Sequence, residues 1–254
     1  MGDDYLVEKS RVLNAKLAGL SSALVAYSGG VDSAYLAWAA RNALGDSMLA
    51  VLADSPSLAE FQKQNAIEFA RSFGIPLEVI ATDEFNDPDY LKNNPDRCFH
   101  CKDELFDKLE AIAEQRGFHA IIYGVNADDV RDFRPGHRAA AEHGVLSPLL
   151  ESGITKSDVR KLAKQAGLPV WDRPASPCLS SRVAYGTPVT IQNVKKVENG
   201  EDALRQLGFR EFRVRHHGEL VRIEVSPDEL PKALDRDMAK RFTEIFNKSV
   251  TTVS

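Results

Sequence analysis

Hydrophobic positions in the first 125 residues alternate between helical and strand periods. Residues 5–18 carry Val12, Leu13 and Leu17 at helical spacing, and 22–27 is a short apolar run suited to a buried strand. A helix is predicted over 31–44 with Gly45 as its cap, then a strand over 48–53. A second helix spans about 57–73, with Leu58, Phe61, Phe69 and Phe73 on one side and Gly74 at its end. Residues 76–81 read as a third strand. Residues 103–116 read as a helix with Leu105, Leu109 and Ile112 inward, and 119–124 as a fourth strand. Near-continuous apolar strands alternating with helices predict a parallel sheet covered on both faces.

The pattern changes after residue 185. A helix over 190–207 precedes two alternating strands, 211–216 and 220–225, joined at His217-Gly218-Glu219, and a final helix covers 227–247. The fold class is therefore α/β, with a smaller C-terminal α+β domain. The expected divisions are a nucleotide domain over 1–170, a cysteine-bearing connector over 171–188 and a C-terminal domain over 189–254. Pro174, Pro177 and Pro188, with Pro169 just upstream, make the connector read as extended.

Composition narrows the class further. The 254 residues are 43% hydrophobic and 27% charged, with 32 Lys+Arg against 37 Asp+Glu, a net charge of −5. That argues against a surface built to coat nucleic acid or membrane. No apolar run is long enough to span a bilayer, and the acidic start Met1-Gly2-Asp3-Asp4 lacks a signal-peptide pattern, so a cytoplasmic protein is expected. Three cysteines are an odd number for a disulfide framework and turn attention to metal or thiol chemistry.

The sharpest motif is Ser28-Gly29-Gly30-Val31-Asp32-Ser33, set between the first strand and its helix. The glycines let the backbone turn tightly against a ligand, and the amides and dipole of the helix start favour an anion. Ser28 and Ser33 add hydroxyls. Asp32 would repel a bare phosphate, so a bridging Mg²⁺ is expected there. The spacing is neither a Walker A loop nor a Rossmann fingerprint. Ala53-Asp54-Ser55 and Gly124-Val125-Asn126-Ala127-Asp128-Asp129 follow the second and fourth strands, where ligands bind in open α/β sheets. Loop solvation or capping is the competing reading of Asp54 and Asp128.

Cys98 and Cys101 form Cys-Phe-His-Cys just before the 103–116 helix, and Cys178 lies in Pro-Cys-Leu-Ser-Ser-Arg. A zinc site could take His100 as its fourth ligand, although a His between two ligands is awkward for a tetrahedron. Three thiolates match a cubane iron–sulfur cluster with one open iron. Alternatively Cys178 is itself the active thiol, with Arg173 and Arg182 nearby in sequence to favour its thiolate. In the later hairpin, period-two alternation puts Arg213 and Arg215 opposite Phe212 and Val214, and Arg222 and Glu224 opposite Val221, Ile223 and Val225. Such guanidinium forks suit phosphate and carboxylate groups. A solvated sheet face is the plainer reading, and His216 and His217 are given no role.

The Ser-Gly-Gly-x-Asp-Ser loop resembles that of the PP-loop ATP pyrophosphatases, which split ATP between its α- and β-phosphates. The chain as a whole resembles the LarE family of sulfur transferases. The likeness rests on residues 26–33, Ser147-Pro148-Leu149, Ile154-Thr155-Lys156, Arg160, residues 177–182 and Arg213-Val214-Arg215. It implies an adenine nucleotide hydrolase-like fold that binds ATP through Ser28, Gly29, Gly30, Val31, Asp32, Ser33, Asp54 and Gly124, with Asp32 on magnesium. It implies adenylation of the carboxylates of pyridinium-3,5-biscarboxylic acid mononucleotide and exchange of AMP for sulfur. Arg182, Glu201, Arg213 and Arg215 would bind that substrate, with Asp32 and Cys178 catalytic.

One LarE type sacrifices the sulfur of the cysteine matching Cys178. The other carries two further cysteines and a 4Fe–4S cluster, and Cys98, Cys101 and Cys178 resemble that set. The family likeness also implies a homo-oligomer. The rivals are a tRNA thiolase, which the acidic charge and lack of an RNA module count against, an ammonia-using synthetase, and a non-catalytic ATP-binding module.

Overall fold

The computed structural model describes residues 2–129 and 135–250. In chain order its main elements are α1 (Gly2–Ala18), β1 (Ala23–Tyr27), α2 (Val31–Leu44), β2 (Met48–Asp54), α3 (Glu60–Ser72) and β3 (Leu77–Ala81). There follow α4 (Pro88–Leu91), α5 (Arg97–Arg116), β4 (Ala120–Tyr123), α6 (Pro135–Glu142), α7 (Pro148–Glu151) and α8 (Lys156–Gln165). The last part holds α9 (Ile191–Gln206), β5 (Phe212–His217), β6 (Leu220–Val225), α10 (Leu230–Ala233) and α11 (Arg236–Val250). No helix among the described residues is long and apolar enough to cross a membrane.

The chain forms two compact units. The larger holds the residues up to Ser55, Glu60–Glu84 and Asp96–Ser176. Its sheet is parallel in the order β3-β2-β1-β4, as the alternation of elements predicts. All five residues of β1 are buried, as expected of a central strand covered on both faces. Leu24, Ala26 and Val51 face Leu105, Phe106 and Leu109 of α5 and Ala139 and Ala140 of α6. The chain steps from β1 outward to β2 and β3, then returns to place β4 on the other flank of β1. That reversal opens a crevice at the carboxyl ends of β1 and β4.

The smaller unit comprises Pro56–Ala59, Phe85–Pro95 and the chain from Pro177 onward. Its hairpin pairs Phe212 with Val225 through His217 with Leu220, around a turn where Gly218 has φ +72°. The inner face packs Val214, Phe212 and Ile223 against Leu204 of α9 and Phe242 of α11.

Several elements depart from expectation. The final helix over 227–247 is broken: a 3₁₀ turn at Pro227–Glu229 and the short α10 precede α11. Pro231 has no N–H to continue the 3₁₀ turn into a longer helix, and Asp235, whose carboxylate accepts from the Asp237 and Met238 N–H groups, caps a new start at α11. The helix predicted over 103–116 begins six residues earlier, with Asp96 at its N-cap directly after Pro95, so Cys98 and Cys101 lie inside it. The proline-rich stretch is not extended throughout. Leu179–Arg182 form a 3₁₀ turn whose Leu179, Ser180 and Arg182 are buried.

Candidate functional site

β1 delivers the chain directly into Ser28-Gly29-Gly30. Gly29 has φ +73°, and a Cβ on it would lie 2.6 Å from the Cβ of Ala66 in α3, so the turn requires glycine. Ser33 closes the loop. Its hydroxyl donates to the Gly30 carbonyl (3.1 Å), accepts from the Ser28 N–H (3.1 Å) and shares a bond with the Ser28 hydroxyl (3.0 Å). Gly30 occupies the N-cap of α2 without a side-chain cap, and the Ala34 N–H reaches its carbonyl at 2.9 Å. The amides of Val31, Asp32 and Ser33 precede that first helical bond, so the loop gathers donors suited to phosphate oxygens. From the neighbouring strand, Gly124 passes so close that a Cβ there would sit 2.7 Å from the Ser33 nitrogen. The structure thus brings Ser28, Gly29, Gly30, Val31, Asp32, Ser33 and Gly124 together.

Asp32 is the electrostatic centre of this crevice. Its Oδ2 accepts from the Lys156 ammonium at the start of α8, while its Oδ1 is buried with no hydrogen-bond partner among the described residues. Burial pushes the carboxyl above the usual range, against the pull of Lys156, and Asp129 adds to the rise. A buried carboxylate oxygen with no donor is costly, and a hard divalent cation is a fitting partner for it. The residues present therefore fit Mg²⁺.

Lys156 was legible as a helix start, since Thr155 and Asp158 form a capping box. Sequence reasoning did not assign that helix or a site role to Lys156. Asp128 accepts from the Lys156 N–H at 2.9 Å, the capping reading of that residue. Asp54 ends β2 and is paired at 2.6 Å with Lys63 of α3. Arg160 of α8 donates to the carbonyls of Trp171 (2.6 Å) and Arg173 (2.7 Å), tying down the stretch after the helix.

Cys98 and Cys101 lie on α5 three residues apart, hence on one face of its first turns. The guanidinium of buried Arg97 reaches the Cys98 sulfur at 3.9 Å. His100 between them is 3.9 Å from Asp96. None of the three cysteines forms a disulfide, and two thiols on one helical face suit a soft metal or cluster.

In the smaller unit, Cys178 is exposed on a backbone held from several directions. The Leu179 N–H donates to the Ser57 carbonyl at 2.8 Å. The hydroxyls of Ser57, Tyr90 and Ser180 form a buried triangle, with Tyr90 2.7 Å from Ser57 and 2.8 Å from Ser180. Arg182, 4% exposed, donates through Nε to Glu201 at 2.9 Å and through a terminal nitrogen to the carbonyls of Pro177 and Cys178. Glu201 also accepts from the Val214 N–H at 3.2 Å. No local motif announces the Ser57–Tyr90–Ser180 triangle.

On the hairpin's outer face Arg213 stands opposite Glu224, and Arg215 opposite Arg222. Glu224 bridges Arg215 (2.7 Å) and Arg222 (2.9 Å). Partial burial works to raise its carboxyl, but the two guanidiniums hold it below the usual range. His216 is buried, and that burial, with Lys196 and His217 nearby, lowers its proton affinity.

The family model described as NAD synthase matches residues 8–94. An uncharacterized protein of Synechocystis sp. is 44% identical over 83% of this chain and 79% of its own length. The pyridinium-3,5-bisthiocarboxylic acid mononucleotide synthase of Lactiplantibacillus plantarum is 37% identical over 87% of this chain and 80% of its own. A glutamine-hydrolyzing GMP synthase component of Methanocaldococcus jannaschii is 32% identical over 58% of this chain and 50% of its own.

Proposed function

The chain belongs to the LarE family of PP-loop enzymes, which includes the pyridinium-3,5-bisthiocarboxylic acid mononucleotide synthase, and we propose that it carries out that synthase's sulfur transfer. In this reaction a substrate carboxylate oxygen attacks the α-phosphorus of ATP and the bond to the bridging oxygen breaks. Pyrophosphate leaves and an acyl-adenylate remains. A sulfide attacking the acyl carbon expels AMP and leaves the thiocarboxylate directly. A cysteine thiolate gives a thioester instead, and loss of its Cα proton with cleavage of the Cβ–S bond then releases the thiocarboxylate and leaves dehydroalanine. The second carboxylate follows the same course.

The observation that carries the reading is Asp32, with one carboxylate oxygen on Lys156 and the other unpartnered beside the donor-rich start of α2. The amides of 31–33 and the hydroxyls of Ser28 and Ser33 would bind the phosphates. Asp32 would hold the Mg²⁺ that neutralises the leaving pyrophosphate. Lys156 would release Asp32 and turn to the phosphates once the metal is bound. Asp54 and Gly124 would line the nucleoside side. Arg182, Glu201, Arg213 and Arg215 would bind the pyridinium mononucleotide through its phosphate and carboxylates.

Cys178 would lie at the sulfur-transfer step. The thiols of Cys98, Cys101 and Cys178 match the ligand count of a 4Fe–4S cluster with one open iron. Such a cluster, when bound, supplies sulfur without consuming a side chain. The exposed Cys178 thiol on its pinned backbone supports the second reading, donation of its own sulfur. We place the reaction in the cytoplasm, where ATP and reduced thiols are at hand, and the working form as a homo-oligomer without nucleic acid.

The test is incubation of the purified protein, under anaerobic conditions, with ATP, Mg²⁺ and the dicarboxylate mononucleotide. Pyrophosphate release that depends on the mononucleotide, with sulfur replacing oxygen in the product by mass, is expected. Nucleotide binding without pyrophosphate release would leave only the non-catalytic reading. Mass spectrometry of Cys178 after turnover separates the two sulfur sources: an intact thiol supports the cluster, and loss of its sulfur supports sacrifice.

A further inference from the structure

A second cluster of ligating side chains lies in the larger unit, apart from the nucleotide crevice. α5 presents Asp103, Asp107 and Glu110 along one stripe, at spacings of four and three residues. His143, just after α6, faces that stripe with its ring against Phe106 (centroids 5.8 Å apart). Its Nδ1 is 3.0 Å from Glu110 and its Nε2 is 3.1 Å from Asp103 and 4.0 Å from Asp107. One ligand atom each from Asp107, Glu110 and His143 lies within 4.8 Å of the others. The ring is largely covered, with 12% of the side chain exposed.

The charge balance is what makes the cluster unusual. Three carboxylates converge on a single imidazole, and His143 is the only ion-pairing partner they have among the described residues. Burial alone would disfavour the imidazolium, yet Asp103 and Glu110 raise its proton affinity above the ordinary value. Even a protonated His143 offers one positive charge against three negative ones. The nearby Arg138 is paired with Glu142 and stacked on Phe99, and the Lys102 ammonium stands over the Phe106 ring.

A cavity of about 310 Å³ opens beside the cluster, lined by Glu110, His143, His119 and Ile121 among others. It borders Ala120 and Ile121, the first residues of β4, and Ala120 pairs with Ala23, the first residue of β1. The cavity therefore lies at the amino end of the sheet, opposite the phosphate loop.

We propose that Asp107, Glu110 and His143 bind a first-row divalent transition ion of the zinc class, at a site separate from the ATP-linked magnesium. Glu110 stands on the Nδ1 side of the ring and Asp107 and Asp103 on the Nε2 side. Whichever nitrogen coordinates, the other keeps its proton on a carboxylate, the carboxylate–histidine–metal arrangement that fixes a ring's tautomer. One imidazole with carboxylates suits zinc, cobalt or nickel better than magnesium or calcium. The cavity leaves the remaining coordination positions open to water or a small anion.

The experiment uses the full chain without nucleotide, titrated with Co²⁺ and followed by visible absorption, and with Zn²⁺ followed by side-chain nitrogen NMR of His143. The expected result is one cobalt bound without thiolate charge-transfer absorption. On zinc addition, one ring nitrogen of His143 should shift while the other keeps its proton. His143→Gln and the exposed-site variant Asp107→Asn should each weaken that binding by at least about tenfold. Cobalt bound only with thiolate absorption would overturn the proposal. So would affinity unchanged in both variants, or a His143 ring that keeps both protons at saturating zinc.

Discussion

The loop after β1 is shaped by close backbone approach and by hydroxyl bonds between its own Ser28 and Ser33, whereas the loop carrying Cys178 is also held by side chains that reach it from distant parts of its unit. Gly29 and Gly124 allow contacts that no side chain would permit, so the phosphate loop's shape follows from what is missing at those positions. Around Cys178, Arg182, Glu201, Ser57, Tyr90 and Ser180 supply the restraint through polar groups. A loop that binds a fixed triphosphate gains from a shape set by sterics. For the sulfur-transfer role proposed for Cys178, a pinned backbone with an exposed side chain is an advantage.

Substitutions can break this contrast, beginning with the largest effect. Cys178→Ala should abolish thiocarboxylate formation while mononucleotide-dependent pyrophosphate release continues. Unchanged thiolation would remove the second loop from the chemistry. Asp32→Ala should lower pyrophosphate release by about 10²–10³-fold, the usual cost of removing an electrostatic stabiliser of developing charge. Turnover close to the parent rate would show that the carboxylate does not hold the metal.

Stability measurements sharpen the comparison. Glu201→Ala strands the Arg182 guanidinium in a buried setting and should cost about 3–5 kcal/mol in denaturant unfolding. A cost under about 1 kcal/mol, the range of exposed pairs, would mean that the clamp is solvated. Gly29→Ala forces an ordinary residue into a left-handed turn against Ala66 and should cost about 1–3 kcal/mol. Tyr90→Phe removes one hydroxyl from the triangle and should cost about 1 kcal/mol, since Ser57 and Ser180 keep each other. A Tyr90→Phe loss larger than that of Glu201→Ala would reverse the assignment of what holds the second loop.

The same contrast explains what the sequence made legible. The parallel sheet and the phosphate loop are written in consecutive residues: apolar runs, a Gly-Gly turn and a helix start. Periodicity also separated Arg213 and Arg215 from the apolar face of their strand. The partner of Asp32 lies 124 residues away, and Ser57 and Ser180 are 123 apart, so no local pattern links them. α8 could have been found from its capping box, but its short amphipathic stretch followed a region without clear periodicity. The early start of α5 is not legible in the sequence because Cys98 and His100 have weak helical preference.

Asn93 sends its amide to the carbonyls of Ala184 and Thr187, both at 2.9 Å, and to that of Val183 at 3.3 Å, while holding a φ of +56°. Together with Ser57 and Tyr90 it belongs to stretches that precede Pro177 by more than eighty residues. A transplant of the chain from Pro177 onward into another scaffold would arrive without these three residues. The carbonyls near Val183 would lose their donor and Ser180 its companions. Any recombination that moves this module intact has to carry three separate strings of sequence, and a single crossover point cannot do so.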